Sequence, residues 1–130
     1  MKNTLQNVAL VFLGGALGTA ARYAASITLP QIGMLFLVNL LGAAFLGLVN
    51  SAPLFESGSS KLFWGVGFAG GFTTMSGVAL WMIGSSASAA LAPFTVIAMF
   101  VLGVVAYLLG LRLGKLSGKA AAEQPSEGQQ

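Results

Sequence analysis

The chain has no cysteine, no histidine and no aspartate among its 130 residues, and its only glutamates are Glu56, Glu123 and Glu127. Without cysteine there is no disulfide, no thiolate metal site and no cysteine nucleophile. Without histidine, and with so few carboxylates, almost nothing remains for acid–base catalysis or for a side-chain metal site. These absences point away from an enzyme. Charge is scarce as well: charged residues make up 7% of the chain, where a soluble domain carries about a quarter. Too little polar material is present to make a water-facing surface. The net charge of +3 raises nucleic acid as a partner, but six scattered basic residues form no phosphate-tracking stripe.

What the chain does have is apolar residues, 56% of the total, and 18 glycines. They fall into four blocks, about 8–27, 32–49, 62–83 and 93–114. Each is near the roughly 20 residues that a helix needs to cross about 30 Å of hydrocarbon. The expected fold class is therefore an all-α membrane protein with four transmembrane helices. The four-span body is expected over 1–114, and 115–130 as a polar, disordered tail. Lys2 and the apolar run after it superficially resemble a secretory signal peptide, but Arg22 interrupts that layout and three further spans follow. Lys2, Lys61, Arg112, Lys115 and Lys119 fall on one side of a four-span topology, and the opposite loops, 29–32 and 84–92, carry no charge. The positive-inside rule then places both termini in the cytoplasm of a cell membrane.

In lipid, helices associate through close backbone approach and polar contacts. Gly14 with Gly18, Gly67 with Gly71, and Gly110 with Gly114 are small-xxx-small pairs suited to this. The third block differs in kind. Its segment GVGFAGGFTTMSG, residues 65–77, puts five glycines and three hydroxyl residues in mid-span, where helix propensity is poor. A broken helix there leaves backbone carbonyls that can coordinate a cation and amides that favour anions. The stretch Gly70 to Thr74 is thus a candidate ion site, with a kinked packing helix as the alternative. Asn39, in mid-span, must find a partner or line a pore. Arg22 snorkels to the interface as a structural polar group or serves function. Trp64 and Tyr23 read as interfacial anchors.

The segments GGALGTAARY at 14–23, GMLFLVNLLGAAFLG at 33–47, GFAGGFTTMS at 67–76 and GLRLG at 110–114, in this order, resemble the small fluoride-channel family known as Fluc or CrcB. The resemblance implies a four-span subunit with a broken third helix, pairing with a second subunit as an antiparallel dimer. It implies a structural sodium ion at the dimer centre, held by the main-chain carbonyls of Gly70 and Thr73, and two narrow pores for fluoride. Asn39, Thr74 and Ser76 match pore-lining positions of the family. Met75 and Val78 stand where the family has two phenylalanines whose positive ring edges suit an anion. The fourth span also lacks the family's hydroxyl track, with only Thr95 and Tyr107 carrying OH between Phe94 and Leu113.

The strong charge bias argues against insertion in both orientations, so one half of a two-subunit channel with a paralogous partner is expected, with antiparallel self-pairing as the alternative. The function implied is passive efflux of cytoplasmic fluoride across the lipid membrane. Two alternatives stand beside it: a nonconducting scaffold or regulatory partner of a channel subunit, and a small multidrug exporter. The exporter would need a membrane-embedded glutamate, which none of the four blocks contains.

Overall fold

The computed structural model describes residues 2–84 and 91–122. Helix α1 spans Lys2–Thr28 and α2 spans Gln31–Ser51. A 3-10 turn, Pro53–Phe55, leads to α3, a continuous helical run over 58–72. This run opens with an α-helical turn, Gly58–Ser60, continues as a π-helix, Lys61–Ala69, and closes with Gly70–Phe72. Helix α4 spans Met75–Gly84 and α5 spans Leu91–Ala122. Four stretches are long and apolar enough to cross a membrane: Asn3–Thr28, Gln31–Ser51, Gly58–Gly84 and Leu91–Ala120. The third is assembled from α3 and α4.

Helix ends in an apolar medium must find their own hydrogen-bond partners. At the end of α1, Thr28 Oγ1 donates to the carbonyls of Ala24 and Ala25, and Ser26 Oγ donates to that of Tyr23. Pro30, fixed in an extended conformation, stops α1 and starts α2, its carbonyl accepting from Met34 N–H at 2.9 Å. Ser57 caps α3 by accepting from Ser60 N–H at 3.1 Å. Helix α5 runs to Ala122, so residues 115–122, expected within a disordered tail, are helical. Ser117 Oγ donates back to the Gly114 carbonyl, and Gly118 packs close to Pro53, which holds this extension against the α2–α3 turn. The rest of the tail and the Ser-rich connection, 85–90, lie outside the described residues.

Two glycine seams hold the helices together. In the first, α1 lies on α3. A Cβ on Gly14 would strike the Phe63 carbonyl oxygen, one on Gly18 that of Phe68, and one on Gly71 that of Gly15. In the second, α2 lies on α5, with Gly47 against the Tyr107 carbonyl, Gly110 against that of Ala44 and Gly114 against Ser51. Backbone meets backbone in both seams, which maximises van der Waals contact where lipid supplies no hydrophobic drive. The expected pairs Gly14/Gly18, Gly67/Gly71 and Gly110/Gly114 are all packing positions.

Side-chain packing is concentrated on α2, which carries the fully buried Leu35, Val38 and Val49. Leu35 meets Val78 of α4 and Met99 of α5, so one small cluster ties the short α4 to the bundle. At the α2–α3 junction Phe45 packs edge-to-face on Phe55, Trp64 and Phe68. Trp64, read from sequence as an interfacial anchor, belongs to this aromatic cluster. Large apolar side chains such as Phe12, Ile83, Leu91 and Phe100 point outward, an exposure that suits acyl chains or another subunit and not water.

Candidate functional site

The third span is interrupted between Phe72 and Met75. Thr73 is extended, with φ −76° and ψ 159°. It stays tethered to α3, because both its N–H and its Oγ1 donate to the Ala69 carbonyl, at 3.1 and 3.0 Å. In an unbroken α-helix the Gly70 carbonyl would accept from Thr74 N–H, and the Thr73 carbonyl from Gly77 N–H. Both donors are diverted here. Thr74 N–H donates to Asn39 Oδ1 at 2.8 Å, and Gly77 N–H donates to Thr74 Oγ1 at 3.1 Å. Asn39 Nδ2 in turn donates to the Thr74 carbonyl at 3.2 Å.

The amide of α2 thus pairs with both backbone groups of a residue that is only 7% exposed, where unpaired groups would be costly. The consequence is that the carbonyls of Gly70 and Thr73 are released, and among the described residues neither accepts a hydrogen bond. The two residues line one groove of about 590 Å³, together with Gly42, Asn50 and Lys61. Gly70 faces open space: a Cβ there would meet nothing within 4 Å.

The break also creates two helix ends of opposite polarity inside the span. The C-terminal end of α3 favours a cation and the N-terminal end of α4 favours an anion. Thr74 is the N-cap of α4, and its Oγ1 lies 3.2 Å from Ser76 Oγ. The N–H groups of Met75 and Ser76 have no hydrogen-bond partner among the described residues. Thr74 and Ser76 line a recess of about 330 Å³ that also contains Thr19, Arg22, Tyr23 and Ser26.

A third groove, of about 500 Å³, brings together Asn39, Met75 and Val78 with Met99, Phe100 and Tyr107. Its polar resources are limited. A neutral amide offers two N–H donors, and Asn39 spends the second on the thioether of Met99 at 3.3 Å. The Tyr107 hydroxyl accepts from Asn50 Nδ2 at 3.2 Å, which leaves its own proton free. Met75 is 72% exposed, whereas Val78 is 2% exposed and belongs to the core cluster.

The structure therefore brings Gly70 and Thr73 together; of the expected pore residues, Asn39, Met75 and Val78 line one groove and Thr74 and Ser76 line another, beside Arg22, with Asn39 bonded to the Thr74 backbone between them. Residues that sequence reasoning did not single out are Met99, hidden in an apolar run, Lys61, read only as loop charge, and Thr19. The Thr19 hydroxyl reaches the Gly71 carbonyl at 3.5 Å; its place in the GGALGT segment was the available signal. Among the described residues no group of three His, Cys, Asp or Glu side chains is placed to hold a metal.

An all-helical membrane protein with four spans, one interrupted at a glycine–threonine break that frees carbonyls on one side and amides on the other, is the class that this fold and site define. Residues 9–111 match the family model described as CrcB-like protein, Camphor Resistance (CrcB). The chain belongs to this family. It is similar to the fluoride-specific ion channel FluC 2 of Corynebacterium jeikeium (strain K411), 34% identical over 87% of this chain and 82% of that one. It is also similar to two proteins of Rhodococcus jostii (strain RHA1), fluoride-specific ion channels FluC 1 and FluC 2. The first is 37% identical over 85% of this chain and 84% of its own length. The second is 38% identical over 82% and 96%. No solved structure matches the chain.

Proposed function

We propose that this chain is a subunit of a fluoride channel that lets fluoride leave the cytoplasm down its gradient, with no chemical step. The observation that carries this reading is family membership over residues 9–111, joined to relatives named as fluoride-specific channels. HF enters a cell uncharged and dissociates at neutral pH, so trapped fluoride needs a protein path. A fluoride ion without its water shell needs donors in exchange. This subunit offers the amides of Met75 and Ser76, the Ser76 hydroxyl, Arg22, and the Tyr107 hydroxyl.

The assembly belonging to this reading is an antiparallel dimer with a sodium ion on its twofold axis. Its support is the groove in which Gly42, Ala43, Gly65, Ala69 and Gly70 lie beside Leu46, Asn50, Lys61, Val66 and Thr73; the small residues admit close approach by a second subunit. The two released carbonyls fit a hard cation, which takes oxygen ligands. Gly70 and Thr73 would hold the ion, whose charge would neutralise carbonyl dipoles where two breaks meet. The channel body is 1–114, with both termini cytoplasmic. Gly114 and Gly118 pack on Ser51 and Pro53, and this brings Arg112, Lys115 and Lys119 to the end where α3 begins at Gly58, a turn before Lys61.

A paralogous partner is favoured over self-pairing by the one-sided basic residues, and two family members in Rhodococcus jostii both match this chain. Fluoride efflux from liposomes, followed with a fluoride electrode, tests the function. Efflux is expected when this chain is reconstituted with its paralogue, and absence of efflux both alone and with the paralogue overturns the reading. The second reading, a nonconducting partner, is favoured by the apolar groove around Met75 and Val78. Equal flux from the paralogue alone would establish it.

A further inference from the structure

Asn39 sits where a pore residue is expected, yet two of its three hydrogen bonds are with the backbone of its own chain. Its Oδ1 accepts from Thr74 N–H at 2.8 Å and its Nδ2 donates to the Thr74 carbonyl at 3.2 Å. Thr74 N–H is the one group that, in a continuous helix, would close on the Gly70 carbonyl. We infer that Asn39 is the positioning residue that keeps the third span open, acting as a surrogate backbone so that the Gly70 carbonyl stays free for a cation. The inference rests on the proposed channel reading only for the identity of that cation; the diverted hydrogen bond is a property of this chain.

The geometry explains why an amide suits the position: its acceptor arm holds Thr74 N–H away from the Gly70 carbonyl, and its donor arm adds an anchor on the Thr74 carbonyl. Two antiparallel bonds to one residue need an acceptor and a donor on the same planar group, and among neutral side chains only Asn and Gln supply both in that arrangement. A hydroxyl would satisfy one arm and leave the other buried and unpaired. The remaining Nδ2 proton rests on Met99 Sδ, a weak acceptor, so the amide is oriented from a third side by α5. Val78 and Met99 pack on Leu35, one turn before Asn39 on α2, which fixes the distance between α2 and the break. Thr74 Oγ1 performs the parallel task at Gly77 and frees the Thr73 carbonyl. Asn39 and Thr74 together release both oxygens of the pair.

The experiment compares Asn39→Leu, which removes both arms at similar volume, with Asn39→Asp, which keeps the acceptor for Thr74 N–H. The readout is sodium-dependent thermal stabilisation of the purified assembly, titrated against N-methylglucamine, with hydrogen exchange across residues 70–77. Asn39→Leu is expected to weaken sodium by about tenfold or more while the Thr74 amide stays protected, now by Gly70. Asn39→Asp is expected to hold sodium affinity to within about threefold. A folded Asn39→Leu protein with parental sodium affinity overturns the inference. So does a tenfold loss in Asn39→Asp, which decides the matter even where Asn39→Leu does not fold. Parental protein that conducts fluoride without any sodium dependence also overturns it. Parental protein that responds to sodium but passes no fluoride instead refutes the channel reading and leaves the role of Asn39 standing.

Discussion

Glycine is not one kind of residue in this chain. Gly110 lies on the Ala44 carbonyl, while Gly33 has nothing within 4 Å of a built Cβ. Gly110→Ala must push α5 off α2 and should cost more than about 2 kcal/mol. Gly33→Ala should leave stability at the parental level or slightly above, given alanine's better helix propensity. Thermal midpoints in detergent distinguish the two, and equal midpoints would refute the seam. The two positions where the resemblance leads one to expect phenylalanine are also unequal. Val78→Phe overfills the cluster with Leu35 and Met99 and should destabilise by about 1–3 kcal/mol. Met75→Phe, on an exposed side chain, should shift stability by less than about 0.5 kcal/mol and leave fluoride efflux at least at the parental rate. Denaturation curves with parallel efflux assays check both.

At the scale of elements, the break between α3 and α4 depends on a cap more than on glycine content. Thr74→Val keeps shape but removes the oxygen that accepts Gly77 N–H. It should cost about 1 kcal/mol as a lost N-cap, and it returns that N–H to the Thr73 carbonyl. Faster hydrogen exchange over α4 together with weaker sodium dependence would report it; unchanged exchange would show that the cap is dispensable. Four apolar blocks and a break near Gly70–Thr74 were legible because length, hydropathy and glycine density act locally. The exact site of the break was not, since it depends on Asn39, 35 residues away in sequence. The helices run past the apolar blocks for a related reason: apolarity ends at the lipid boundary, whereas the helices continue on capping and packing, as α5 does past Gly114. The π-helix over 61–69 left no trace in the sequence. Its buried Gly65, Gly67 and Ala69 alternate, a spacing that on its own reads as a strand and not as a helix.

For the whole molecule, the charge inventory predicts the pH response. The chain has no histidine, and its described spans contain no acidic residue. Fluoride flux at fixed fluoride gradient should therefore be flat between about pH 6 and 8, where histidine is the usual switch. A sigmoidal flux profile in that range would mean that another component titrates. The same inventory bears on orientation. Reporter tags on both termini should read cytoplasmic in nearly every molecule, and an even split would favour self-pairing over a paralogous partner.

The freed oxygens of Gly70 and Thr73 carry no formal charge, and the charged side chain in their groove is the ammonium of Lys61. Divalent ions, which shed water reluctantly, rely on carboxylates to offset that loss. They would find here only neutral dipoles and a nearby like charge. On the proposed reading such a notch would answer to monovalent ions, and the assembly would keep its metal without becoming sensitive to calcium or magnesium.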